Sequence, residues 1–376
     1  MSVNRTTQIT ENVLAGPILR RMESRRIVFW LATRAPCKWR LSVEGLANGT
    51  QLAPNATPVR IGRHCFLYLL DFTLDSDLPA DQALPYDLQW QSEAFDNKTN
   101  WVSIREWAPD LCQDGHTLPQ FVRRARLASV LHGSCRKPHH PCEDGLVAAD
   151  DWLNHKADKP ESWPAFLLLT GDQVYVDDVA GPMLTAIHEL IEELGLYDEQ
   201  IEEALVPDSQ TLYKSEYNYY RRSELLPDVR PNDPLRKRFF EGAKKPVFTT
   251  TSADNHLVTL AEILAMYLLV WSPVAWDCLP EGPPSGLSED ETQRYCKERE
   301  TLAQFVTGLS SVRRLLAHVP TLMIFDDHDV TDDWNLTADW EQTAYGHPFS
   351  QRIIGNALVG YMLCQGWGNN PDAFKH

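Results

Sequence analysis

The chain has 376 residues, too many for one ordinary hydrophobic core and enough for two domains. With 43% hydrophobic and 23% charged residues it reads as globular rather than disordered. A formal net charge of -17 excludes a broad basic face for nucleic acid or an anionic membrane, although a bound cation would reverse the sign locally around a phosphate substrate.

The first residues, MSVNRTTQITENVLAGP, lack the basic region and apolar run of a secretory signal, which points to a cytoplasmic chain. In that setting the sequons at Asn48 and Asn97 carry no meaning, and the eight scattered cysteines are free thiols or metal ligands rather than a disulfide frame. Up to about residue 105 the pattern is short and extended: RIVFWLATR, CKWRLSVEG, HCFLYLLDFTL and YDLQWQS are rich in aromatic and branched side chains, with polar turns between them. They predict an antiparallel β-sandwich of immunoglobulin or fibronectin type over residues 1–115, closed by a proline- and glycine-bearing linker, EWAPDLCQDGHTLPQ.

From residue 116 the pattern changes. Three apolar runs, RLASVLHGSCR (126–136), PAFLLLTGDQVYVDD (164–178) and VPTLMIFDDHD (319–329), each end directly in polar, chemically capable residues. Apolar runs without alternation suit strands buried on both faces of a helix-covered sheet. Ligands gather beyond the carboxyl ends of such strands, where all three polar clusters fall. Residues 183–316 read as a helical insert. Within it MLTAIHELIEELGLYDEQIEEAL is amphipathic, and SEDETQRYCKERETLAQFVTGLSSVRRLLAHV has an acidic start that suits the helix dipole. HLVTLAEILAMYLLVWSPVAW (256–276) holds His256 and Glu262 and breaks at Pro273, which suits a buried core helix rather than a membrane span.

In TGDQVYVDD, Gly171 lets the backbone turn, Asp172 follows as a carboxylate at the sheet edge, and Tyr175 is near enough to address the same point. The same residues would also serve as a helix cap and a rim-packing phenol. HGSCRKPHHPC offers Cys135 as a nucleophile or metal ligand and Arg136 as a planar fork for an anionic oxygen. A small zinc site using Cys142 competes with that reading, but the paired CxxC such sites use is absent.

In FDDHDVTDDWN, the side chains of Asp326, Asp327, His328 and Asp329 cannot all stay bare in a crevice, because close like charges raise one another's pKa. Either several are exposed or a cation neutralises them. A calcium loop of the EF-hand type is excluded by the missing glycine and glutamate positions. A cap-and-turn role for the whole cluster stays open, and Asp332 and Asp333 read as helix-start or surface residues. Oxygen, imidazole, phenol and thiol donors from neighbouring strand ends favour a metal centre over a Ser-His-Asp arrangement.

HGSCR, TGDQVYVDD and FDDHDVTDDWN, in that order after a β-rich segment opening with LAGPILRRM, resemble the PhoD-like alkaline phosphatases, a branch of the calcineurin-like metallophosphoesterases. NHLVTLAEILAMYLLVWSPVAW resembles the helical insert of that branch. The resemblance implies an α/β chain in which a layered αββα metallophosphatase domain, residues 116–376, hydrolyses phosphate mono- or diesters with metal-activated water. It makes Asp172 the carboxylate bridging two metals, Tyr175 a phenolate ligand of a ferric ion and Cys135 a ligand of the same iron. Asp327 stands where the superfamily's GNH motif has a metal-binding asparagine. His328 matches that motif's histidine, which contacts phosphate and assists the leaving group as a general acid, and Arg136 is a phosphate contact.

Fe(3+) with Ca(2+) is the implied metal pairing, with Zn(2+) or Mn(2+) as alternatives. The implied partner is a phosphate-ester substrate. Few residues follow Asn335, and His347 and His376 lie in no GxH- or GDxH-type motif. The expectation is therefore an N-terminal fragment or truncated product with an incomplete second sheet and metal sphere. The alternative is a binding module that keeps the fold without an active centre.

Overall fold

The computed structural model describes residues 9–46, 51–93, 100–227, 248, 253–278 and 282–374. The sequons at Asn48 and Asn97, part of the insert read over 183–316, and His376 lie outside them. Seven strands come first: β1 (Val13–Glu23), β2 (Arg26–Thr33), β3 (Cys37–Val43), β4 (Val59–Gly62), β5 (Cys65–Thr73), β6 (Ala83–Ser92) and β7 (Gln120–Val122). They form two antiparallel sheets, β1-β2-β5-β4 and β3-β6-β7. The stretch read as a linker is packed instead: it starts within α1 (Ile104–Trp107), which Ser103 caps, buries Leu111 and leads into β7 beside β6.

Both faces of the first sheet are buried. Along β2, Ile27, Phe29 and Leu31 enter the sandwich core with Tyr68, Phe72 and Tyr86. Val28, Trp30 and Ala32 enter a second core shared with the rest of the chain. Two apolar faces at a period of two explain why RIVFWLATR reads as an unbroken apolar run. Trp30 meets Trp271 edge-on, with ring centroids 5.4 Å apart, and its indole N–H donates to the Leu363 carbonyl at 3.0 Å. Each fully buried apolar side chain at this junction contributes roughly 1.5–3 kcal/mol, so the sandwich and the second half of the chain are welded rather than tethered.

The second half carries β8 (Leu131–Gly133), β9 (Leu167–Thr170) and β10 (Thr321–Ile324), paired in parallel in the order β10-β9-β8. The fold is thus mixed α/β: an antiparallel sandwich, then a parallel sheet with helices. Among the described residues after Val122 there is no further sheet of an αββα sandwich.

Among the described residues the longer helices of this half are α2 (Gly145–Asn154), α3 (Gly181–Leu194), α4 (Ser209–Lys214), α5 (Leu260–Trp271), α6 (Glu289–Thr307), α7 (Leu309–His318), α8 (Ala338–Ala344) and α9 (Pro348–Tyr361). Two of them depart from the periodicity reading. α3 stops at Gly195, which is left-handed at φ 57°, although its amphipathic pattern continues to residue 205. The next long run divides at Gly308, where α2 packs so closely that a β-carbon would lie 2.7 Å from Val147. α5 is buried from Ala261 to Trp271, with Thr259 and Glu262 forming its capping box, as expected of a core helix. Among the described residues no helix is long and apolar enough to cross a membrane.

Acid stability follows from His318, which closes α7. Its side chain is fully buried, Nε2 donates to the Leu111 carbonyl at 2.8 Å, and Nδ1 has no partner. Burial lowers its pKa from 6.5 to about 4. The unfolded chain therefore takes up this proton near pH 6.5 and the folded chain only near pH 4, so the proton favours unfolding. Stability is fully present above pH 6.5 and declines below it, by ~3 kcal/mol across the window. Thermal melts between pH 7 and 4 should show a smaller loss of midpoint in His318→Gln than in the wild-type chain. Equal losses would rule His318 out as the source.

Candidate metal centre

β9 ends at Thr170 and Gly171 turns the chain at φ 113°. A β-carbon at Gly171 would lie 2.4 Å from that of Asp326, so glycine is what lets the turns after β9 and β10 approach. Asp172 and Cys135 follow at φ 51° and 57°, in the left-handed region, which costs about 1–3 kcal/mol for each residue bearing a side chain. Backbone bonds between the turns hold them there: the Cys135 N–H donates to the Gly171 carbonyl at 3.3 Å and the Arg136 N–H to that of Asp172 at 2.9 Å. β10 runs into a single 3-10 turn, Asp327–Asp329, capped by Asp326.

These turns bring the predicted residues together. Asp172, Asp327 and His328 each place a ligand atom within 4.8 Å of the others. Cys135 Sγ is 3.2 Å from Asp172 Oδ2, and Tyr175 stacks on the His328 ring with centroids 4.7 Å apart. Arg136 is not brought in. Its guanidinium bonds Asp144 at 2.8 Å and the Val270 carbonyl at 2.6 Å, and lies 4.4 Å from the centre of the Phe305 ring. It braces the N-cap of α2 against α5 and α6. The neighbouring His139 and Lys137 both bond Asp178.

Asp332 and Asp333, read as surface residues, are half-buried and drawn into the site. With Asp327 they form a second group whose ligand atoms lie within 4.8 Å of one another, and the Asp333 N–H donates to Asp327 Oδ2 at 3.0 Å. Asp327 is thus common to both groups. Asp177, the first aspartate of VDD, joins the candidate site although the motif reading passes over it. It is fully buried, and its Oδ2 accepts from His328 Nδ1 at 2.8 Å and from the Asp332 N–H at 2.9 Å. A carboxylate on Nδ1 fixes that nitrogen as the donor and leaves Nε2 to reach a substrate oxygen.

Charge crowding shifts the pKa of these groups. Burial raises the Asp172 pKa; Cys135 and His328 oppose the rise, and the charges of Asp326 and Asp327 add to it. Burial, and then the charge of Asp172, push the Tyr175 phenol far above its ordinary range. Burial pulls His328 down, but the hydrogen bond and charge of Asp177, with Asp172 and Asp327, lift it to about 9.

A cation would relieve this crowding. Asp172 Oδ1 is also buried without a hydrogen-bond partner, as a carboxylate oxygen reserved for a metal would be. The donor set therefore fits a metal. A groove of about 1060 Å³, lined in part by Cys135, Arg136 and Tyr175, opens between β8, α2 and the α6–α7 corner; Asp172, Asp327 and His328 are not among its lining residues.

No family model matches the sequence, and no curated protein matches it. A solved structure titled "Structure of PhoD" aligns with 95% of this chain and 47% of its own, at 10% sequence identity and a TM-score of 0.37. The chain spans about half the length of that structure.

Proposed function

We propose that the chain forms the metal centre of a phosphoesterase of the PhoD-like type, acting on phosphate mono- or diesters. One observation carries this reading: Asp172, Asp327 and His328 converge at the carboxyl ends of a parallel sheet around a buried carboxylate oxygen that has no hydrogen-bond partner. When bound, a metal pair supplies Lewis acidity toward the phosphoryl group and lowers the pKa of water. Asp172 and Asp327 would hold the pair. Cys135 and Tyr175 offer the thiol and phenol that suit Fe(3+), while Asp332 and Asp333 offer the oxygens that suit Ca(2+). The same set accommodates Zn(2+) or Mn(2+).

His328 is the proton carrier in this reading. Asp177 holds Nδ1–H and stabilises the imidazolium, the Tyr175 ring fixes the plane, and Nε2 is left to protonate the departing oxygen. Arg136, already paired with Asp144, acts by holding the Cys135 loop on α2.

The purified chain loaded with Mn(2+) should hydrolyse a chromogenic phosphate ester in a chelator-sensitive way. His328→Gln should lower turnover by roughly 10²–10⁴-fold, most on esters with poor leaving groups. If the loaded chain shows no metal-dependent turnover, the catalytic reading fails and the binding module is left.

A further inference from the structure

Asp329 is 1% exposed, and both of its carboxylate oxygens are engaged. Oδ2 accepts from the backbone N–H of Asp172 at 2.7 Å and of Asp326 at 3.0 Å. Oδ1 accepts from the Val174 N–H at 3.4 Å and from Gln365 Nε2 at 3.2 Å. One side chain therefore clamps the turn after β9 to the turn after β10. Its shortest bond is to the N–H of Asp172, a residue held in the left-handed region, so the clamp opposes the relaxation that backbone strain favours.

Gln365 leads away from the site. It lies in a single π-helical turn, Met362–Gly366, that follows α9, and its amide also donates to the Tyr267 hydroxyl of α5 at 2.9 Å. A π turn departs from the regular helical ladder, and such turns are frequent at functional sites. Carbonyls of this one are taken up by the sandwich. Arg20 of β1, fully buried, donates to the carbonyls of Cys364 at 3.1 Å and Gln365 at 2.8 Å, and to Asn369 Oδ1 at 2.8 Å. Trp30 of β2 holds the carbonyl of Leu363. A continuous set of hydrogen bonds thus runs from β1 through the π turn and Gln365 to Asp329 and the backbone of Asp172.

We infer that Asp329 and Gln365 are positioning residues, through which the sandwich sets the spacing of Asp172 against Asp327 and with it the metal affinity of the centre. The inference rests on the metal-centre reading above. A carboxylate is required at 329, because three N–H groups and an amide converge on two oxygens. Asparagine would turn its own NH₂ against at least one of those donors.

The test is Mn(2+) affinity, read by electron paramagnetic resonance of free and bound ion, beside melting of the metal-free chains. Groups that orient metal ligands typically cost 10–100-fold in affinity when lost. Asp329→Asn should show a loss in that range with an altered signal from the bound ion, and Gln365→Leu a smaller loss in the same direction. Gln365→Leu leaves the backbone bonds of Asp329 intact and covers the case in which Asp329→Asn does not fold. Glu262→Gln, which perturbs the buried Arg222–His188 network of α5 without touching Asp329 or Gln365, should keep wild-type affinity despite a lower melting point. If Glu262→Gln loses affinity equally, general stability explains the effect and the inference falls. Wild-type affinity in Asp329→Asn and Gln365→Leu overturns the positioning role alone. A wild-type chain that takes up no Mn(2+) overturns the metal centre and this role together.

Discussion

Asp172→Asn is expected to abolish metal binding and ester hydrolysis while leaving the metal-free chain as stable as the wild type or more so. The two signs come from one cause. Asp172 is a buried carboxylate whose charged form is disfavoured by burial and by Asp326 and Asp327, and whose Oδ1 has no partner. Removing that charge relieves the metal-free chain, and asparagine tolerates the left-handed backbone that position 172 requires. The carboxylate common to Cys135 and to the Asp327–His328 group is lost with it. The fall in affinity should exceed the roughly 100-fold that groups behind the ligands cost. Elemental analysis, metal titration and the chromogenic assay check this, and full turnover in Asp172→Asn would remove the proposed function.

The largest stability effect is expected at Glu262, which is not among the candidate metal ligands. Its side chain and that of Arg222 are wholly inaccessible, and they meet at 2.6 Å. Glu262 Oε1 also accepts from His188 at 2.9 Å, and Oε2 accepts from the N–H groups of Val258 and Thr259 at 2.9 and 3.1 Å. Burial alone would raise the Glu262 pKa, but Arg222 and His188 hold it well below the ordinary range.

Glu262→Ala leaves the Arg222 guanidinium buried without its counter-ion and should cost about 3–5 kcal/mol in a urea melt. The double variant Glu262→Leu with Arg222→Met removes both charges and should recover much of that loss. A loss below about 1 kcal/mol in Glu262→Ala would mean that water reaches Arg222 and replaces the carboxylate. Glu262 is ionised in the folded chain at pH values where the unfolded chain has begun to protonate. Its contribution is therefore present above about pH 4.5 and lost as the pH falls further.

Much of the site was legible before folding because its residues follow apolar runs. A run that ends in Thr-Gly-Asp or Phe-Asp-Asp-His marks the carboxyl end of a strand, and carboxylates, imidazole, thiol and phenol are candidate metal donors by type alone. The same local rules gave the acidic start of α6 and the core character of α5. Arg136 shows their limit. Its neighbour Cys135 faces Asp172, and the arginine itself goes to Asp144, Val270 and Phe305. That choice depends on where α2, α5 and α6 come to rest.

What the sequence determined by itself was the inventory: strand runs, turn residues and ligand types, all set by periodicity and chemistry within a few residues. Tertiary structure decided the pairings across long separations. It buried both faces of β2, drew Asp332 and Asp333 toward Asp327, set Asp177 behind His328 and joined Gln365 to Asp329. Such contacts arise where packed sheets and helices bring distant side chains within hydrogen-bond reach, and a local pattern carries no record of that distance.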